Sequence, residues 1–212
     1  MSAADPLADP AEIARRRAAL ARAHMAPLAA LAREIRAARP GDAVPDADPR
    51  DGGARARALL LLEAPGPRSV STGFVSCDTP NPTARNLRAL LDGAGVARAD
   101  VLLWNVVPWY VGDGRRVRPV TAREVDEAAP WLEALLDRLP ALERAVLIGR
   151  KAQRAAPALA ARRPDLEPIL AFHPSPQVFH ISPERRAATV AAFGELGRAL
   201  AARQALARRD GS

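Results

Sequence analysis

Three isolated polar side chains, each directly after a short apolar run, are the residues of this sequence that could act together on a ligand. They are Glu63, Asn105 and His173, and they offer a carboxylate, an amide and an imidazole for accepting, donating and transferring protons. The imidazole begins the segment His173–Pro176, in which two prolines bracket Ser175. Proline fixes its own φ and biases the preceding residue toward extended backbone. The spacing therefore predicts an imidazole held in one orientation at the end of a strand.

The elements that would position these side chains follow from the apolar pattern. Nearly continuous apolar runs predict buried strands at 58–62, 101–105, 145–149 and 166–172. Periodicity and capping residues predict helices at 83–94, 121–139, 151–161 and 182–206. Strands that alternate with helices predict an α/β fold with a three-layer αβα architecture. Its middle layer would be a parallel, doubly wound, four-stranded sheet. Ligands bind such sheets outside the carboxyl ends of the strands, where the three polar residues fall.

The chain before the first predicted strand has a different composition. Residues 10–39 are rich in alanine, arginine and leucine and predict one or two helices, with Pro27 as the point of interruption. Residues 40–53 contain three prolines and three glycines and predict a loop. We therefore expect an N-terminal helical extension and loop at 1–53, an α/β domain at 54–206 and a tail at 207–212.

Length, charge and composition narrow the class of protein. The 212 residues are 49% hydrophobic, which suits one globular domain with a sizeable core, and no run reaches the roughly 18 apolar residues of a membrane span. A net charge of +7 fits a nucleic-acid partner, but the arginine-rich composition typical of high-GC genomes explains it equally well. The N-terminus is acidic and lacks the apolar stretch of a secretory signal, so a cytoplasmic, bacterial protein is expected.

Three segments at the predicted strand ends resemble motifs of the uracil-DNA glycosylase superfamily. The segment Leu61–Gly66, which reads Leu-Leu-Glu-Ala-Pro-Gly, resembles the first active-site motif of the members with a GEAPG sequence. The segment Leu102–Pro108 resembles the strand whose terminal asparagine reads the edge of uracil, and His173–Pro176 resembles the second active-site motif. Order and spacing agree across about residues 57–200, and the N-terminal helices lie outside the resemblance.

The resemblance implies a role for each residue of a base-binding pocket. His173 would donate a hydrogen bond to uracil O2 and stabilise the negative charge that develops there as the base leaves. The amide of Asn105 would pair with O4 and N3–H of uracil, and Phe74 would stack on the base. Glu63 would position or deprotonate the attacking water.

The same resemblance implies contacts with DNA outside the pocket. Ser175 resembles a serine that contacts phosphate, and Val178 or Phe179 would be the apolar wedge that fills the space left by a flipped base. Arg185, in the first turn of the last predicted helix, would contact phosphate, although a solvated helix face explains it as well. The implied partner is DNA that contains uracil or another deaminated base, and a monomer without membrane attachment is expected.

The sequence departs from the family's pattern within the first motif. Leu62 replaces the usual leading glycine. Ala64 occupies a base-binding position that carries a catalytic Asp or Asn in several branches of the family. Activation of water would therefore fall to Glu63 or to a loop residue such as Asp78 or Asn81.

Two further departures concern specificity and cofactors. Gly66, also at a base-binding position, replaces the tyrosine with which the strictest uracil enzymes exclude the methyl group of thymine, so discrimination could be looser. Members with the GEAPG motif often carry an iron–sulfur cluster on four cysteines. Cys77 is the only cysteine here, so this cluster is excluded and neither a metal nor another cofactor is expected.

The predicted function is hydrolysis of the N-glycosidic bond of uracil, or of a related deaminated base, flipped out of DNA. Lys151 is the only lysine and lies outside the predicted site, so a monofunctional enzyme without a Schiff-base step is expected. Because of the departures at Leu62 and Ala64, a weak or inactive relative that binds DNA or a free nucleobase is the alternative. A more remote interpretation is an unrelated small-molecule enzyme on the same scaffold, since a fold does not determine function.

Overall fold

The computed structural model of the protein describes residues 5–113 and 118–210; the first four residues of the predicted extension and the last two of the predicted tail lie outside it. Within the described residues the strands are β1 Asp46–Ala47, β2 Ala58–Leu62, β3 Phe74–Val75, β4 Val101–Asn105, β5 Arg144–Ile148 and β6 Ile169–Ala171. The helices are α1 Pro10–Ala19, α2 Ala26–Ala38, α3 Pro67–Thr72, α4 Pro82–Gly93, α5 Ala122–Asp137, α6 Arg150–Gln153, α7 Ala156–Arg162, α8 Pro176–Ile181 and α9 Pro183–Asp210. In these ranges no helix combines the length and apolar character needed to cross a membrane.

The central sheet has the four parallel strands that the apolar runs predict. Their order is β4-β2-β5-β6, and every neighbouring pair is parallel. The chain therefore extends the sheet first to one side of β2 and then to the other, which creates the switch in strand order where ligands bind. Helices cover both faces, and this explains why the strands are apolar at nearly every position. The predicted three-layer α/β fold is confirmed.

Alternate side chains of each strand enter two separate core clusters. Leu59, Leu61 and Trp104 join the cluster that also contains side chains of α2, α5 and α7. Leu60 and Leu103 point the other way and pack with α4 and α9. Since burial of one leucine side chain contributes about 1.5–3 kcal/mol, a strand shifted by one residue would lose both sets of contacts. This packing fixes the register in which Leu62 lies opposite Asn105 and Glu63 follows directly after the pair.

The N-terminal helices share a core with the sheet. Leu28, Leu31 and Ile35 of α2 are buried in the same cluster as β2 and β4. Pro27 lies in the first turn of α2, where proline is tolerated because the backbone N–H has no partner within the helix, and residues 20–25 separate α1 from α2. Residues on both sides of the predicted boundary at 54 therefore belong to one packed unit.

The sequence pattern does not predict two short helices and one strand pair. α3 and α8 begin with Pro67 and Pro176; proline favours the first position of a helix, although it is also typical of loops. β1 and β3 have two residues each and pair in parallel, so they are too short to show a periodicity. The last strand, β6, is shorter than predicted, and the predicted helix at 151–161 is divided into α6 and α7.

Candidate active site

The carboxyl edge of the sheet brings the three polar side chains to one cavity of about 500 Å³. In the register between β2 and β4, Leu62 lies opposite Asn105, and the N–H of Val107 donates to the carbonyl of Glu63 at 3.0 Å. His173 follows β6 and lines the same cavity. The structure thus brings these side chains together, as the geometry of parallel strand ends requires.

Asn105, a residue of the cavity lining, has a buried acceptor. Its side chain is 5% exposed, and Oδ1 has no hydrogen-bond partner among the described residues. A buried acceptor without a partner costs about 1–3 kcal/mol, and such groups in folded proteins need a specific explanation. Because the residue lines the cavity, a ligand that carries an N–H donor would satisfy Oδ1.

His173 is held from two sides. Gly149 follows β5 with a φ of +88°, and a Cβ built there would lie 3.3 Å from the Cβ of His173, so the histidine packs directly on the glycine. Asn86 of α4 donates from Nδ2 to the carbonyl of Pro174 at 2.9 Å. The sequence analysis identified neither contact, because it marks Gly149 only as the end of a strand and gives no signal at Asn86.

Burial sets the charge of His173. It lowers the pKa of the imidazole by disfavouring the charged form, and the negative charge of Glu63 opposes this shift. His173 is therefore neutral at pH 7, with one N–H donor and one acceptor. Glu63 is half-buried, and its Oε1 accepts a hydrogen bond from the N–H of Val120 at 2.9 Å.

We expect His173 to titrate below the ordinary value of 6.5 in the folded protein. The unfolded chain then binds the proton more readily, so the free energy of unfolding should fall as the pH drops below about 6.5. Glu63→Gln removes the opposing charge and should lower the pKa of His173 further. NMR titration of the ring protons measures both effects; a midpoint above 6.5, or an upward shift in Glu63→Gln, would contradict this assignment.

Ala64 and Gly66 lie where base contacts are predicted, on the lining of the cavity. A Cβ built at Gly66 would meet no atom within 4 Å, and its φ of −86° suits any residue. Phe74 is placed differently: it is 1% exposed on β3, and the neighbouring Val75 and Ser76 line the cavity in its place. Stacking of Phe74 on a base stays a prediction.

Asp78, one of the loop residues considered for water activation, is engaged elsewhere. It pairs with Arg16 at 2.7 Å and with Arg88 and Arg98 at 3.3 Å each, and it is absent from the described lining of the cavity. Burial opposes ionisation of Asp78, but Arg98 and Arg16 outweigh it and lower the pKa of this carboxyl. Asp78 is thus a partner of arginines rather than a base directed at the cavity.

Asn81, the other loop residue considered, lines the cavity. Its Oδ1 accepts the N–H of Ala84 at 2.9 Å and caps α4, and an amide has no basic group that could deprotonate a water. Among the described lining residues, Glu63 is the one carboxylate.

The residues predicted to contact DNA lie on α8 and at the start of α9. Ser175 is the N-cap residue of α8, and Val178 and Phe179 are half-buried on this helix. Phe179 packs against the core cluster formed with α4 and α9, so only part of its ring is available for insertion. Ile181, which the sequence analysis did not identify, is 77% exposed at the end of α8. Arg185 is exposed in the first turn of α9.

A cavity lined by an amide, an imidazole and a carboxylate at the carboxyl edge of a parallel sheet defines an α/β protein with a small-ligand site. The family model described as the uracil DNA glycosylase superfamily matches residues 49–197 of the chain. The protein therefore belongs to this superfamily, and the resemblance of its sequence is confirmed.

Solved structures similar to this one include two of a protein named UNG from Nitratifractor salsuginis. The wild-type protein has 17% sequence identity and a TM-score of 0.46, and the match covers 89% of this chain and 97% of that one. A variant in which tyrosine is replaced by glycine has 19% identity and a TM-score of 0.50, with 89% and 98% covered. At this level of identity the likeness shows the fold alone. No curated protein matches the chain by sequence.

Proposed function

We propose that the protein is a monofunctional DNA glycosylase that hydrolyses the N-glycosidic bond of uracil, or of a related deaminated base, flipped out of DNA. The observation that carries this proposal is the unpaired Oδ1 of Asn105 on the cavity that His173 and Glu63 also line. Membership of the superfamily supports the reaction class. The cavity of about 500 Å³ has the size of a small-molecule site and leaves room for a base together with its sugar.

Uracil suits the donors and acceptors of this cavity better than cytosine does. The N3–H of uracil would donate to Oδ1 of Asn105, and Nδ2 would donate to O4. Cytosine has no N3–H and carries an amine in place of O4, so each group of the amide would face a like group. A site that hydrogen-bonds a substrate group rejects analogues that leave its own buried polar atoms unpaired.

Base release requires stabilisation of charge on both sides of the breaking bond. As the bond between C1′ and N1 breaks, its electron pair leaves with the base, and the N–H of His173 would donate to O2, where negative charge develops. Glu63 would accept a proton from the attacking water, whose oxygen bonds to C1′. The same carboxylate would offset the positive charge that develops on the sugar.

The open space at Gly66 affects which bases the cavity can accept. A Cβ there would meet no atom within 4 Å, and glycine adds no side chain that would exclude a base larger than uracil. Hypoxanthine and xanthine also present a ring N–H beside a carbonyl, which Asn105 could bind in the same way. We therefore include these deaminated purines among the proposed substrates.

We expect Gly149→Ala to lower base release about tenfold, because the new Cβ would displace the imidazole of His173. A φ of +88° also strains an alanine by about 1–2 kcal/mol. Gly41→Ala is the matched control, because its φ is +91° and a Cβ there meets no atom within 4 Å. Thermal unfolding should show similar losses of stability for both variants, and single-turnover assays should show a loss of rate for Gly149→Ala alone. Equal rates in the two variants would overturn this role of Gly149.

Ile181→Ala should lower base release from double-stranded DNA about tenfold and from single-stranded DNA much less. An exposed aliphatic side chain on α8, the short helix that follows His173 in the chain, could fill the gap left by a flipped base, and a single strand leaves no such gap. Val190→Ala, which shortens another exposed aliphatic residue on α9, is the control. Val178→Ala and Phe179→Ala test the two residues that the sequence predicts for this role. Equal losses on both forms of DNA would contradict a wedge at Ile181.

An oligonucleotide with a single uracil tests the proposed function directly. After incubation with the protein, alkali should cleave the strand at the abasic site. An absence of cleavage with uracil, hypoxanthine and xanthine substrates would contradict the proposal.

The second candidate function is binding of DNA or a nucleobase without base release. Ala64 favours it, because this lining residue places a methyl group where several branches of the family carry a catalytic carboxylate or amide. Ser175 and Arg185 would still contact phosphates in such a protein. Binding of DNA that weakens with salt, without release of a base, would support this candidate.

A further inference from the structure

A buried network of ion pairs joins α1 to the wall of the cavity. Arg16 of α1 is 3% exposed. Its guanidinium contacts Asp48 and pairs with Asp78 at 2.7 Å, and Nη1 lies 3.5 Å from the Oγ of Ser76. One side chain thus reaches from the N-terminal helix to three residues that are 32 to 62 positions away in the sequence.

Ser76 links this network to the cavity. It lines the cavity, its hydroxyl donates to the carboxylate of Asp48, and its Oγ accepts the N–H of Asp78 at 2.9 Å. Just before it, β3 pairs with β1. The segment 75–81, which we call the wall segment, also contains the lining residues Val75 and Asn81. Its backbone is therefore attached through Arg16 and Asp48 to parts of the chain that precede the region matched by the family model.

The network depends on all of its members because its charges are buried. Arg98 contacts Asp51 at 2.6 Å, Asp48 at 3.0 Å and Asp78 at 3.3 Å. Asp48 and Asp78 are therefore neutralised by Arg16 and Arg98 together. Removing one partner of a buried ion pair leaves an uncompensated charge. The planar fork of an arginine can hold two carboxylates at once, whereas the single ammonium of a lysine cannot reproduce this geometry.

We propose that Arg16 is a positioning residue of the candidate active site, which holds the wall segment in the place where it lines the base cavity. This inference rests on the proposed glycosylase function for its effect on substrate. Arg16 does not touch the base or the reacting atoms. It acts through Asp48, Asp78 and Ser76, so its loss should impair binding of the flipped base more than the chemistry at His173.

Arg16→Lys tests the proposal, with Arg57→Lys as the matched control. Arg57 is half-buried and, like Arg16, has several partners, namely Glu143 at 3.0 Å and the carbonyl of Leu200 at 2.9 Å, but it precedes β2 at the opposite edge of the sheet. We expect Arg16→Lys to raise the KM for a uracil oligonucleotide about tenfold with a smaller change in kcat. Hydrogen exchange of the wall segment should accelerate in Arg16→Lys and not in Arg57→Lys.

Hydrogen exchange separates failure of this inference from failure of the proposed function. If the wild-type protein releases no base, faster exchange confined to the wall segment in Arg16→Lys would still support positioning by Arg16. If the two lysine variants change exchange and KM alike, the proposal is overturned. Should Arg16→Lys not fold, Asp48→Asn keeps the shape of the side chain and removes the shared charge. Unchanged exchange of the wall segment in a folded Asp48→Asn would equally overturn it.

Discussion

Replacing His173 with alanine should lower the rate of base release about 10²- to 10³-fold, equivalent to about 2.7–4 kcal/mol of lost transition-state stabilisation. The effect should be on kcat rather than on KM, because negative charge develops on O2 only as the bond to the sugar breaks. The imidazole is neutral and fixed against Gly149, so its donor needs no reorganisation during the reaction. Single-turnover kinetics with a uracil oligonucleotide measure the change.

Two further variants test whether the loss of rate in His173→Ala comes from the lost hydrogen bond to O2. His173→Gln retains an N–H donor and should recover part of the lost rate. His24→Ala removes another half-buried imidazole, which contacts the carbonyl of Pro49 at 3.3 Å, and should leave base release unchanged. If His173→Ala retained the wild-type rate in a folded protein, the proposed role of His173 would be wrong.

Asn105→Ala should lower kcat/KM for uracil about 100-fold while the stability of the protein changes by less than about 1 kcal/mol. The two effects differ because Oδ1 has no partner among the described residues before a ligand binds, so its removal breaks no hydrogen bond in the free protein. In the complex, by contrast, the N3–H and O4 of uracil would both lose their partners. Steady-state kinetics and thermal unfolding of the same preparations measure both quantities.

The control for this variant is Ser175→Ala, at the N-cap of α8. A single phosphate contact contributes to DNA binding but not to recognition of the base, so Ser175→Ala should affect uracil and other bases alike and should cost far less rate than Asn105→Ala. A loss of stability in Asn105→Ala as large as its loss of activity would show that the amide serves the fold. Its role as a reader of the base would then be contradicted.

The sheet and the carboxyl-edge site could be predicted because both follow from local patterns. Strands buried on both faces are continuous apolar runs, so their positions are visible without tertiary information. Parallel strands all present their carboxyl ends at one edge, so the polar residues that end them must lie near one another. Glu63, Asn105 and His173 therefore share a cavity even though 110 positions separate the first from the last.

The exposure of side chains on the short helices could not be predicted from local sequence patterns. Phe179 and Ile181 are both apolar residues of α8, yet Phe179 packs on the core and Ile181 is exposed. A six-residue helix is too short to show which face is buried. Only the docking of α8 against α9 and α4 decides which of the two side chains is free to reach DNA.

By itself, the sequence determined the order of the four central strands and of the long helices, and the polar residue at the end of each key strand, because these depend on neighbouring residues and on the burial of both sheet faces. Only the tertiary structure decided that Gly149 lies against His173, that Asp78 turns away to Arg16, and that α1 supports the wall of the cavity. These contacts join residues far apart in the chain. Their proximity depends on how whole elements pack, and no local pattern encodes it.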